Sequence, residues 1–165
     1  MNRPPSNMNA DERTRHELLQ LLNGRNAHMT FADATADFPI EHINSRPPNV
    51  PYTFWHLVEH LRIAQSDILE FIRDADHESP EWPVGYWPAA DALAGEQEWQ
   101  QSLAAFAEDQ IQLAALIQDP AVNLLAEMPH APGYTIYREI LLAADHNAYH
   151  VGELAILRQV MDLWS

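Results

Sequence analysis

Phe54, Leu57, Leu61, Ala64, Ile68 and Phe71 recur at spacings of 3, 4, 3, 4 and 3 residues. An α-helix turns once every 3.6 residues, so this run lines one face of a helix and leaves the rest of its surface to polar groups. A strand would send alternate members to opposite faces, which excludes a β reading. A stripe so regular is the seam of a helix packed among other helices. The element is expected from about Thr53 to Ala75.

Proline marks where the other elements stop. Residues 39–51 hold four prolines and read as a loop. Residues 77–90 carry Pro80, Pro83 and Pro88 with Trp82, Tyr86 and Trp87, a long loop packed down by its aromatics. Residues 119–134 carry Pro120, Pro129, Pro132 and Gly133 and also read as loop. Between these breaks the helical period returns. One helix is expected from Ala10 to about Asn23, with Leu18, Leu19, Leu21 and Leu22 as its apolar face. Gly24 ends or kinks it, and Thr30-Phe31-Ala32-Asp33 caps a short piece that stops before Pro39. Another helix runs from about Asp91 to Gln118 on a seam of Trp99, Leu103, Phe106, Gln110, Leu113 and Ile117. The last runs from a Thr135 cap to about Asp162. No strand pattern stands out. The expected architecture is an all-α four-helix bundle, and its long loops call for a crossover connection. Residues 1–9 form a polar, proline-bearing tail, and residues 10–165 form one domain, as the length of 165 residues allows.

Composition removes several chemistries. The chain has no cysteine, which excludes disulfides, a thiolate metal cage, an iron–sulfur site and a cysteine nucleophile. It has no lysine either, which excludes a lysine Schiff base and a Walker-type phosphate lysine. A net charge of −15 opposes both nucleic acid and anionic membrane surfaces as partners. The opening Met1-Asn2-Arg3-Pro4-Pro5-Ser6 lacks the apolar core of a secretory signal, and no run is apolar enough to span a membrane. A cytoplasmic protein is expected.

Nine histidines are the compositional oddity. At about 100° per residue, Ile136, Ile140, Ala143, Leu154 and Met161 share one face of the last helix. On that wheel His150 falls roughly 30° from the centre of the face and His146 roughly 70°. Asn147 lies near the centre. The two histidines are one turn apart, in the i, i+4 relation that lets two imidazoles converge on one ion. On the earlier helix His60 sits roughly 70° from the seam centre and His56 roughly 110°. His60 is therefore the better third ligand, and His56 is expected to face more solvent. Asp67 shares the side of His60 but lies about two turns along, too far to share its ion. The alternative is that these are core-edge histidines satisfied by hydrogen bonds.

Three neutral imidazoles suit Zn²⁺, Ni²⁺, Co²⁺ or Fe²⁺, with Mn²⁺ a further option, and three protein ligands leave positions open for water or substrate. Glu153, one turn beyond His150, is a candidate acid/base acting beside the metal ligands; the alternative is a solvated surface carboxylate. His28 is a weaker candidate near the site, and His16, His42, His77 and His130 lie in polar or loop settings. Trp82, Trp87 and Trp99 could wall a pocket or pack loops.

The segment Asp145-His146-Asn147-Ala148-Tyr149-His150-Val151-Gly152-Glu153-Leu154, followed by Leu157-Arg158, resembles the signature H-x-x-x-H-x-G-[EQ]-[LI] of the DinB-like (DinB/YfiT) superfamily. Trp55-His56-Leu57-Val58-Glu59-His60-Leu61, ahead of Asp67, resembles the second-helix motif of that family, and Tyr86-Trp87-Pro88 resembles an aromatic loop found in some members. The resemblance covers nearly the whole chain. It implies a four-helix bundle with an unusual crossover order and a divalent metal held by His60, His146 and His150. It also implies homodimers formed through the helices. Zinc and nickel both occur in the family, and characterised relatives are mainly transferases and isomerases using mycothiol, bacillithiol or glutathione.

Three functions follow as expectations. One is a metal-dependent S-transferase in which a low-molecular-weight thiol attacks an electrophilic small molecule. Arg62 is then a nominal holder of the thiol's carboxylates, against the general repulsion set by the net charge. The second is a metal-dependent hydrolase with Glu153 or another carboxylate as base. The third is a non-catalytic metal-binding stress-response protein, in which a closed coordination sphere ties two helices together.

Overall fold

The computed structural model describes residues 7–24 and 26–164. Its helices are α1 (Ala10–Leu22), α2 (Phe31–Thr35), α3 (Phe54–Arg73), α4 (Glu96–Gln118) and α5 (Ile136–Val160). A two-stranded ribbon of β1 (Glu127–Met128) and β2 (Ala131–Thr135) precedes α5. The fold is all-α apart from this ribbon. No described helix is long and apolar enough to cross a membrane.

Helices α1, α2, α3 and α5 each begin where a side chain can take up a free amide. Asn9 and Glu12 form a reciprocal capping box on α1, Thr30 and Asp33 do the same on α2, and Thr53 and Thr135 cap α3 and α5. Residues 1–6 of the expected N-terminal tail lie outside the described residues, and Asn9 belongs to the cap of α1.

Two boundaries depart from the sequence pattern. α4 starts at Glu96 rather than near Asp91. The preceding backbone is already claimed, because Asn44 brackets Ala94 through its N–H and its carbonyl, and His56 holds the Ala92 carbonyl. The ribbon occupies a stretch expected to be loop. β1 and β2 pair antiparallel across Pro129-His130 with an irregular register, too short for a period-2 signal to develop.

α3 packs against α4 and α5, α1 packs against the same two helices, and α2 packs against α5. Their apolar faces bury two clusters. One, around Leu22, Ile68, Ile72, Leu113 and Ile140, fills the end of the bundle that carries the ribbon. The other, around Phe38, Phe54, Leu57, Trp99 and Leu154, fills the opposite end. Between them on α3 and α5 lies a polar layer of His60, Gln65, His146 and Asn147. Arg158, fully buried, fastens the far end: its guanidinium donates to the Ala34, Ala36 and Leu163 carbonyls, tying α5 to the end of α2 and to the chain beyond α5.

Candidate metal centre

α3 contributes His60 to the polar layer, and α5 contributes His146 and His150 one turn apart. The Nε2 atom of His60 lies 3.1 Å from that of His146 and 3.2 Å from that of His150. Two of these rings have their tautomers assigned by their other nitrogen. His60 Nδ1 faces the Tyr86 carbonyl at 2.8 Å, and a carbonyl only accepts, so Nδ1 carries the proton. His150 Nδ1 donates to Glu153 Oε2 at 2.8 Å. In their neutral forms both rings therefore turn bare Nε2 lone pairs toward the same point. A proton on His146 Nε2 can satisfy one of these two contacts, whereas a cation can engage all three rings.

The spacing also fits a cation. Bonds of about 2.0–2.1 Å at a tetrahedral angle place neighbouring nitrogens about 3.3 Å apart, and at a right angle about 2.9 Å apart. The two separations from His60 fall between these. Among the described residues His60, His146 and His150 form a group that could hold a metal ion, and no fourth histidine or carboxylate belongs to it. His60 is buried at 2% exposure, while His146 and His150 are partly exposed on the α5 side. Burial, and then repulsion from the other two rings, lowers the His146 pKa to about 4. Burial likewise lowers that of His60, against the opposing pull of the Tyr86 carbonyl. Both rings are thus kept in the neutral form that a metal needs.

An aromatic wall closes one side. Trp87 lies flat on His60, with centroids 3.9 Å apart and planes 5° apart, and Tyr52 stacks on Trp87 at 5.0 Å. The Tyr52 hydroxyl donates to Glu153 Oε1. Glu153 thus has one oxygen on Tyr52 and the other on His150, which couples the wall back to a histidine of the cluster. Sequence reasoning missed Tyr52. Nothing local marks it, since its partner is 101 positions away.

The wheel placements otherwise divide cleanly. Asn147 is buried as expected and donates through Nδ2 to Gln65 Oε1, and Gln65 donates to the Phe106 carbonyl, so one amide chain links α5, α3 and α4. Asp67 stands apart from the cluster and is bound by His77 and the Tyr86 hydroxyl. His56 corrects the sequence expectation. It is 2% exposed rather than solvent-facing, with Nε2 donating to the Ala92 carbonyl at 2.9 Å and Nδ1 facing the Thr53 amide. The residue 110° off the seam is buried because the loop before α4 folds over it. Arg62 is held by Glu59 in a groove between α3 and α4 that also includes Trp55 and Ser102. His28 bonds the neighbouring Met29 carbonyl and takes no part in the cluster. Trp99 is core, and Trp82 is 73% exposed.

The profile of the DinB superfamily matches residues 10–154. The chain belongs to the DinB superfamily. The match runs from the first residue of α1 through both histidines of α5, so the DinB region includes the whole cluster. No curated protein and no solved structure matches the chain.

Proposed function

We propose that this DinB-superfamily chain is a metal-dependent S-transferase, with a divalent ion held by His60, His146 and His150. The carrying observation is the convergence of three imidazoles with no fourth histidine or carboxylate among the described residues, on a side of the bundle that solvent reaches. Zinc and nickel suit three imidazoles best, with iron, cobalt and manganese as alternatives. A metal held this way supplies an open position that lowers the pKa of a thiol.

The residues around it have distinct tasks. Glu153 and the Tyr86 carbonyl orient His150 and His60. Trp87 and Tyr52 shield one side from water. In the reaction the thiolate sulfur forms a bond to an electrophilic carbon, whose leaving group departs with the bonding pair. The engaged arginines favour a thiol of low negative charge. Arg46, in the loop before α3, is occupied by the Pro51 and Ala90 carbonyls, and Arg62 by Glu59.

Hydrolysis is the second reading. It needs a carboxylate free to act as base, and both oxygens of Glu153 are already engaged, which favours the thiol reading. A stress-response role without catalysis is the third. A second copy of the chain is the proposed partner, on an outward stripe of α5 formed by Tyr149, Ile156 and Val160, which are 71%, 65% and 59% exposed.

Elemental analysis of untagged protein beside His146→Ala tests the site. About one divalent ion per chain, lost in the variant, is expected of a three-ligand centre. Absence of metal after incubation with zinc, nickel or cobalt overturns it. A cobalt-substituted sample then tests the reaction class. Uncharged thiols should shift its visible spectrum, and no response across a panel of thiols overturns the transferase reading.

A further inference from the structure

The cluster depends on a loop whose apolar contact with the core runs through Trp87. Within residues 77–90, Trp82 and Val84 are 73% and 69% exposed. Yet this loop supplies the carbonyl that assigns the His60 tautomer and the indole that covers the His60 ring.

Asp67 holds the loop in register. It lies on α3 seven residues after His60, two turns and about 10 Å further along the same face. Its Oδ2 accepts the Tyr86 hydroxyl at 2.6 Å, and its Oδ1 accepts from His77 Nε2 at 2.7 Å. Tyr86 therefore lies along α3, with its carbonyl at His60 and its phenol at Asp67. His77, at the start of the loop, and Tyr86, near its end, meet on one carboxylate. The chain just downstream has separate anchors, the Ala90 carbonyl on Arg46 and the Ala92 carbonyl on His56. Losing Asp67 thus frees the segment that touches His60 and leaves the rest of the connection attached.

We propose that Asp67 is a positioning residue for the metal centre. By gathering His77 and Tyr86 it seats the loop so that the Tyr86 carbonyl keeps the His60 proton on Nδ1 and Trp87 covers the ring. His60 Nε2 is then free to bind a metal. The inference rests on the metal-centre reading of the three histidines, but its first readout needs no metal.

The test compares wild type with Asp67→Asn and Tyr86→Phe. In metal-free protein, nitrogen-15 NMR should show His60 protonated on Nδ1 in the wild type, with that signature lost or averaged in both variants. A merely structural role would lower the melting temperature without moving the His60 tautomer. Zinc affinity, read by competition with a chromophoric chelator, should fall about tenfold in Tyr86→Phe and further in Asp67→Asn, within the range usual for groups that orient ligands. Unchanged tautomer and affinity in both variants would overturn the proposal while leaving the metal centre standing. If the wild type bound no zinc, the metal reading would fall, and the NMR comparison would still decide whether Asp67 positions His60. Tyr86→Phe removes a single oxygen, so it carries the test if Asp67→Asn fails to fold.

Discussion

Replacing His56 and His150 by alanine, separately, should pull stability and metal binding apart. The His56 ring is 2% exposed, with its Nε2 proton on the Ala92 carbonyl and its Nδ1 facing the Thr53 amide. Truncation leaves those backbone groups unpaired in a buried setting, at about 1–3 kcal/mol, and leaves a void besides. A total of about 3 kcal/mol corresponds to a melting temperature lowered by about 9 °C for a chain of this size. Metal content should be unchanged, because His56 is not in the cluster. His150 is the converse case. Its Nε2 lies 3.2 Å from another bare nitrogen, and its outer bond to Glu153 is partly solvent-exposed. Removing it costs the metal-free protein about 1 kcal/mol, or about 3 °C. It should also abolish stoichiometric metal binding. Thermal melts in chelator and elemental analysis after reloading read both quantities. Loss of metal in His56→Ala, or full metal retention in His150→Ala, would refute the assignment of the ligands.

Acid should act through His146. Its pKa is held at about 4 in the folded protein, chiefly by burial, against about 6.5 when unfolded. Between these values the unfolded chain takes up a proton that the folded chain refuses, so stability is full above about pH 6.5 and falls as pH drops toward 4. Metal-free wild type should therefore lose stability relative to His146→Gln between about pH 7 and pH 4.5, and a constant difference in denaturant melts would contradict this. Glu153→Gln should weaken zinc binding about 10–100-fold by loosening His150, as competition with a chelator would measure; an unchanged affinity would remove its orienting role. Gly152 sits inside α5 with nothing within 4 Å of where a Cβ would stand. At dilutions where the chain is a monomer, Gly152→Ala should therefore raise stability by about 0.5–1 kcal/mol. A melting temperature lowered only at high concentration is expected if the proposed second copy packs on this stripe, and one lowered at every concentration would refute the helix-propensity argument.

The helices were legible because burial is periodic. The seam from Phe54 to Phe71 and the face from Ile136 to Met161 could be written down from spacing alone, and the same wheels selected His60, His146 and His150, which the fold brings together. The caps at Thr30 and Thr135 were equally local. Chemistry carried by loops was not legible. The burial of His56, the late start of α4 and the bond from Tyr52 to Glu153 all come from backbone folding across helices far away in sequence. No period within one segment encodes such contacts.

The sequence by itself therefore determined which residues share a helix face, and hence that three imidazoles would lie on the inward sides of two helices. It also determined what the centre lacks, since a chain without cysteine has no thiolate to offer a metal. The tertiary structure decided how those imidazoles are presented. The Tyr86 carbonyl and the Glu153 carboxylate assign protons to the outer nitrogens, Trp87 and Tyr52 close one side, and Asp67 holds the loop that brings them there. The physical reason is that a helix period sets direction within one element, whereas a hydrogen bond sets tautomer and position only when its two partners meet, and that meeting is a property of the assembled fold.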